Sequence, residues 1–187
     1  MKTGRIFWAA MVGFAMTLPA SMASAQLNSG AQTIALNAKL AESLTLTLSA
    51  NTVNFTLSAG SATNAGSAGI TATTAWTLAQ GRSAVGVYAY FSSATAALTD
   101  GAGDNIPSSA FYIADNAGAS TALTNTVAFG AANAGLQLAN VASTNANRTS
   151  SRTDAMAFNI NLTGGTLPQL PANTYTGTLN IQAQATP

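Results

Sequence analysis

Hydrophobic and polar residues alternate along much of the chain, which is the pattern of β-strands that bury one face. The last segment, TYTGTLNIQAQATP, shows this most regularly: its odd positions from Tyr175 to Ala183 are apolar or small, and its even positions are Thr, Asn or Gln. Successive side chains of a strand point to opposite faces, so one face of this segment is predicted to be buried. We therefore expect the chain to end on a firmly held strand.

The same period of two recurs in many short segments. TIALNAKL places Ile34, Leu36, Ala38 and Leu40 on one face. Further strands are predicted in SLTLTLS, TVNFTL, GITATTAWTL, AVGVYAYF, AFYIA, TALTNTVAF and DAMAFNINL, while residues 130–152 are hard to interpret. Turn signals separate these segments and no helical stripe of useful length is present. About nine or ten short strands of this kind indicate an all-β sandwich or barrel.

AVGVYAYF differs from the other segments because both of its faces are apolar or amphipathic. Val85 and Val87 point one way, and Tyr88 and Tyr90 point the other. Such a strand is expected inside a sheet or covered on both sides. The two tyrosines are candidates either for a second packing face or for an exposed ligand surface on which a sugar could stack.

The first 25 residues have the features of a secretory signal peptide. Lys2 and Arg5 precede the apolar run IFWAAMVGFAMTL, Pro19 ends that run, and Ala23-Ser24-Ala25 offers a cleavage site before Gln26. The run is too short to span a bilayer, and no membrane span is predicted after cleavage. We expect an exported protein, at the cell surface or extracellular, with residues 26–187 forming one β-sandwich domain.

Charge is unusually sparse in this chain. Charged residues make up 6% of the sequence, whereas about 25% is typical of a soluble domain. After cleavage, four basic and five acidic residues remain, so the net charge changes from +1 to −1. Nucleic acid is therefore not an expected partner, because it requires clustered Lys and Arg. A surface with so little charge repels its own copies weakly and suits self-association.

The residue types that carry most enzyme chemistry are missing. The sequence has no histidine and no cysteine, which excludes His-based triads, thiol nucleophiles and ordinary zinc sites. We predict neither catalysis nor a cofactor. The loop from Asp100 to Asn105 has two interpretations: a calcium site, or a glycine-rich surface turn. Four apolar side chains are expected in the core: Phe55, Trp76, Phe158 and Ile181.

Two segments carry a resemblance to known secreted proteins. TIALNAKLAESLTLTLSANTVNFTL and LPANTYTGTLNIQAQA resemble the first and last strands of the pilin-like spore-coat-U and chaperone–usher fimbrial group of bacteria. A weaker likeness links Trp76-Thr77-Leu78 to WxL cell-wall-binding domains, although YTGTLNIQ departs from the second motif of that family. With the strand pattern, the resemblance implies a single immunoglobulin-like antiparallel β-sandwich of about nine or ten short strands.

The resemblance also implies a function. Subunits of the fimbrial group can accept a missing strand from a neighbour. The expectation is a non-enzymatic surface structural protein, fimbrial or coat-like, whose partners are its own copies or related subunits and a periplasmic chaperone. Residues 26–40 are either the donor strand, with Ile34, Leu36, Ala38 and Leu40 entering the neighbour, or a first strand of their own sandwich. The alternative function is a cell-wall- or glycan-binding module.

Overall fold

The structure is a computed structural model that describes residues 29–187. The predicted signal peptide, residues 1–25, and its cleavage site before Gln26 lie outside the described residues. Contacts divide the chain between Ala38 and Lys39 into two units, and the second of them, residues 39–187, is the β-sheet domain. Within residues 29–187, no helix combines the length and the apolar character that crossing a membrane requires.

Residues 39–187 form eleven β-strands, four of them only two residues long, and two short 3-10 helices, Ser108–Ala110 and Leu167–Gln169. The strands are β1 (Ser43–Leu48), β2 (Asn64–Ala65), β3 (Ile70–Thr77), β4 (Ala84–Tyr90), β5 (Leu98–Thr99), β6 (Asn105–Ile106), β7 (Phe111–Asp115), β8 (Thr121–Ala122), β9 (Gly135–Ala142), β10 (Thr149–Ile160) and β11 (Asn180–Thr186). The predicted all-β class is confirmed.

Two antiparallel sheets build the sandwich. The larger has the order β1-β3-β10-β7-β8, with β2 also paired to β10, and the smaller has the order β11-β4-β9. A separate hairpin joins β5 to β6. Strand β4 lies in the middle of the smaller sheet, as its two apolar faces predicted, and Val85 and Val87 are both 1% exposed.

Alternation in the strands places the predicted apolar faces in the core. Trp76 and Phe158 are buried, at 4% and 6% exposure, as predicted. Trp76 also satisfies its indole N–H, which donates to the carbonyl oxygen of Asn147 at 2.9 Å. Phe55 and Ile181 pack against the core as predicted, but they are only partly buried and lie at its margin. Both side chains line a groove that is described below.

Four strand predictions differ from the structure. TIALNAKL forms no strand, and TVNFTL contributes only an isolated bridge between Phe55 and Gly66. The terminal strand begins at Asn180 rather than at Tyr175. A period of two assigns faces, but a strand also needs a neighbouring backbone to pair with. Along these three segments that partner is largely or wholly missing within the described part of one chain.

The fourth difference is TALTNTVAF, where the strand ends at Ala122 and is followed only by an isolated bridge between Asn125 and Gly135. Phe129 leaves the sheet and packs against Tyr88 and Tyr90, with ring centroids 5.8 Å apart in both pairs. Residues 130–152, which were hard to interpret from the sequence, contain β9 and the first part of β10. Small residues dominate there, so hydrophobic periodicity was a weak signal.

Candidate functional site

One edge of the sandwich is open along half of its length. Residues 50–57 and 172–179 flank a groove with a volume of about 730 Å³ that reaches the hydrophobic core. The groove contacts six core side chains: Ile70, Phe91, Phe111, Met156, Phe158 and Ile160. These six side chains are themselves only 0–8% exposed, so the groove reaches the core without laying it open to solvent.

Aromatic rings stiffen the floor of this groove. The ring of Phe111 lies 5.2 Å from that of Phe91, 5.8 Å from that of Phe55 and 6.0 Å from that of Phe158, measured between centroids. The contacts with Phe55 and Phe91 are edge-to-face, which is a favoured geometry for aromatic pairs. The floor is therefore a preformed apolar surface that fits apolar side chains.

The first wall of the groove, residues 50–57, presents unpaired backbone groups. Phe55 forms a bridge with Gly66 in which the Ser67 N–H donates to the carbonyl oxygen of Asn54 at 2.8 Å. In such a non-hydrogen-bonded pair, the N–H and C=O of Phe55 itself point away from Gly66. They point toward the groove, and within residues 29–187 they form no hydrogen bond.

The second wall of the groove, residues 172–179, also presents unpaired backbone groups. Thr99 and Thr176 exchange two backbone hydrogen bonds, each 2.9 Å long. Because hydrogen-bonding direction alternates along a strand, the backbone groups of Tyr175 and Gly177 point to the opposite side, toward the groove. Among the described residues those groups also lack backbone hydrogen bonds. The groove thus has two free strand edges facing each other above an apolar floor.

The predicted donor residues form a separate feature. Residues 29–42 have no regular secondary structure. Ile34, Leu36 and Leu40 are 85%, 90% and 84% exposed, and Ala38 is exposed as well. Large aliphatic side chains at this level of exposure are unfavourable in water and mark surfaces that associate. The face that these four residues would share in an extended strand is consequently exposed to solvent.

An ion pair fixes the point where this segment enters the domain. Glu42 lies 3.1 Å from Arg82, and its carboxylate also accepts the N–H of Ala79 at 2.7 Å. Hydrogen bonds from the Arg82 side chain and the Ala79 backbone lower the pKa of Glu42 from 4.5 to about 2. Arg82 further reaches the carbonyl oxygen of Ala185 at 3.5 Å, which ties the start of β1 to the end of β11.

The remaining predicted site residues lie elsewhere. Asp100 accepts the N–H groups of Ala102, Gly103 and Asp104, which is the geometry of a surface turn. Those hydrogen bonds, that of Ala102 foremost, lower the pKa of Asp100. In the WxL-like segment, Trp76 and Leu78 are both core residues, at 4% and 7% exposure. Both side chains therefore pack in the interior of the domain.

Sequence reasoning missed a buried acidic cluster. Asp154 is fully buried and lies 2.6 Å from Nε of Arg152, while Asp115 lies 3.6 Å from Nη2 of the same residue. Burial and the neighbouring charge of Asp154 raise the pKa of Asp115. The alternation of β10 puts Arg152 and Asp154 on the inward face, a signal that was present in the sequence. The cluster joins β7 to β10, with Asp154 buried and the side chains of Arg152 and Asp115 33% and 19% exposed.

Comparisons with known proteins find no relative: no family model, no curated protein and no solved structure matches this chain.

Proposed function

We propose that this protein is a non-enzymatic structural subunit that assembles by strand donation. The observation that carries the proposal is the complementarity of two features of one chain. One is a segment with exposed apolar side chains at alternate positions, and the other is an apolar groove between two free strand edges. An added strand would pair with both edges and bury its alternate side chains in the floor.

The dimensions of donor and groove agree. From Ile34 to Leu40 an extended strand covers about 20 Å, at roughly 3.3 Å per residue. Each wall of the groove, residues 50–57 and residues 172–179, has eight residues and extends over about 23 Å by the same rule. The four donor side chains therefore match the groove in length as well as in polarity.

Chain connectivity favours donation to a neighbour. Leu40 is three residues from Ser43, so it stays within about 10 Å of the start of β1. Leu48 lines the groove at the other end of β1, roughly 17 Å away. The whole face from Ile34 to Leu40 consequently cannot lie along the groove of its own chain. A second copy has no such restriction.

This connectivity also sets the kind of assembly. The donor leaves the domain near Glu42, whereas the acceptor groove begins at Leu48, at the opposite end of β1. An interface between two different surfaces is heterologous, and it produces a ring or an open polymer. The low charge of the chain reduces repulsion between successive subunits. We therefore propose a head-to-tail polymer of copies or related subunits.

Export fits this proposal. The signal-like residues 1–25 would deliver the subunit to the cell surface or the extracellular space. Before assembly the open groove would favour aggregation, because free strand edges above an apolar floor can pair with the strands of other proteins. A periplasmic chaperone that covers the groove is consequently part of the proposal.

Removal of the donor segment tests the proposal. Residues 29–42 form no strand, so deleting residues 26–40 is expected to leave a cooperatively folded domain. The truncated protein should be monomeric in size-exclusion chromatography, while the mature chain should form oligomers. A synthetic peptide of residues 29–42 should then bind the truncated protein and raise its melting temperature.

The control peptide keeps the composition and moves the apolar residues out of register. A peptide with Leu36 and Asn37 exchanged places a polar amide in the groove and should bind much more weakly. A mature chain that stays monomeric at high concentration, with a truncated form that unfolds, would overturn the proposal.

A further inference from the structure

A second surface lies on the outer face of the smaller sheet, away from the groove. Tyr88 and Tyr90 of β4 point outward there. The pairing of β4 with β11 and β9 places carboxamide side chains beside the two tyrosines. These are Gln137, Asn140, Asn180, Gln182 and Gln184. Directly paired residues share a face of the sheet. The three strands contribute two aromatic rings, five amides and no charged residue to this face.

Tyr88 lies flat on the sheet because its neighbour is a glycine. A Cβ atom at Gly86 would be 2.5 Å from Oη of Tyr88 and 2.7 Å from its Cζ, so the ring occupies the space above Gly86. One face of the ring therefore packs on the backbone at Gly86. The ring of Phe129 lies 5.8 Å from that of Tyr88 between centroids, at an interplanar angle of 74°. Tyr88 remains partly exposed in this arrangement.

One amide beside the rings is held by a hydrogen bond. The hydroxyl of Tyr90 donates to Oε1 of Gln182 at 2.7 Å, and the NH₂ group of this exposed amide has no hydrogen-bond partner among the described residues. A cavity of about 390 Å³ is lined by Phe129, Gln182 and Gln184, and also by the Glu42–Arg82 pair. Known small-ligand pockets have similar volumes and combine apolar surface with a few placed polar groups.

We propose that this face binds a neutral polysaccharide. A partly exposed ring that lies flat on the sheet stacks on the apolar C–H face of a sugar, and carboxamides both donate to and accept from pairs of hydroxyl groups. The strands of this face carry no charged residue, and Arg82 of the adjoining cavity is already paired with Glu42. Sulfated and uronic acid polymers require free cationic partners, so they fit this face poorly. A β-1,4-linked glucan is a flat ribbon, and it matches the flat presentation of Tyr88 best.

The test measures binding of cellohexaose to the full mature chain by isothermal titration calorimetry. We expect binding by the wild type, and a loss of affinity of about tenfold or more in Tyr88→Ala. Tyr88→Phe should bind nearly as well as the wild type because it keeps the ring. Gly86→Ala should weaken binding, because the added methyl group displaces the ring of Tyr88.

Tyr112→Ala is the matched control. Tyr112 is another partly exposed tyrosine, and its register with Asn159 places it on the larger sheet. This variant should bind as the wild type does. Gln182→Ala, at an exposed position, should weaken binding even if Tyr88→Ala fails to fold. The proposal is overturned if the wild type does not bind cellohexaose, if Tyr88→Ala or Gln182→Ala binds normally, or if oligogalacturonate binds equally well.

This inference does not depend on strand donation. The carbohydrate face lies on the outward side of β4, whereas the groove contacts inward side chains such as Phe91 and Ile181. A chain that binds cellohexaose and remains monomeric would support the carbohydrate site and contradict the polymer. A chain that forms polymers and does not bind cellohexaose would contradict the carbohydrate site and support the polymer.

Discussion

The two halves of the same sandwich edge differ sharply. At the end near Glu42, β1 and β11 contact each other, and Leu44 and Ala185 cover Trp76. At the other end, the segments 50–57 and 172–179 do not pair with each other and flank the groove. Both halves have apolar residues at alternate positions. The difference is that β1 and β11 contact each other in the closed half, whereas no described strand joins the two segments of the open half.

Polar contacts reinforce this difference. In the closed half, Glu42, Arg82 and the carbonyl oxygen of Ala185 tie the two strand ends together. In the open half, the backbone groups of Phe55 and Tyr175 have no hydrogen-bond partner within residues 29–187. Unpaired edges above an apolar floor are costly for an isolated domain. Their presence is consistent with a surface that is completed by assembly.

The largest expected effect is loss of assembly in Leu36→Asp. A carboxylate at this position would have to be buried in the apolar groove of the neighbour, which is strongly unfavourable. The matched control is Asn37→Asp, which adds the same charge on the opposite face of the donor. Sedimentation velocity should show monomers for Leu36→Asp and oligomers for Asn37→Asp. Equal oligomer size in both variants would mean that the apolar face of the donor does not enter a groove.

The next largest expected effect is a difference in unfolding free energy between a variant of the closed half and a variant of the open half. Trp76→Ala removes a buried ring from the closed half and should cost about 3–5 kcal/mol of unfolding free energy. Phe55→Ala removes a partly buried ring from the open half and should cost the monomer only about 1–2 kcal/mol. Urea melts of a donor-truncated chain measure both values. Similar losses at the two positions would contradict the distinction between a closed and an open half.

The smallest effect concerns the ion pair at the closed end. The pKa of Glu42 is lowered from 4.5 to about 2, so its stabilising contribution is complete above pH 4.5 and disappears as the pH falls toward 2. In Glu42→Gln this pH-dependent contribution is absent. The stability difference between wild type and variant should therefore shrink over that window in urea melts. A difference that does not change with pH would show that Glu42 contributes no such charge interaction.

Much of the fold follows from the sequence because alternation is a strong local signal. The faces of GITATTAWTL and AVGVYAYF were predicted correctly, since Ile70, Ala72, Trp76 and Val85 are all buried. The period of two also marked residues 34–40 and 53–57 as strands. Neither forms one in the single chain, because strand formation depends on a pairing partner that local sequence does not reveal.

The candidate site shows the same limit. The donor face was visible as a pattern in the sequence, whereas the groove depends on residues far apart in the chain, such as Phe55, Phe111 and Tyr175. Their meeting is set by sheet topology. The role of Phe129 was missed for a similar reason, because its contact with Tyr88 and Tyr90 depends on a loop that leaves its sheet.

Site-specific cross-linking tests strand donation most directly. The sequence has no cysteine, so each introduced thiol is unique. One chain would carry Leu36→Cys in the donor, and a second, donor-truncated chain would carry Leu57→Cys in the groove. We predict a disulfide-linked heterodimer on oxidation of the mixture, with Ile34→Cys or Ala38→Cys also reacting and Asn37→Cys failing to react. Equal cross-linking at all these positions, or none at any, would contradict a donated strand.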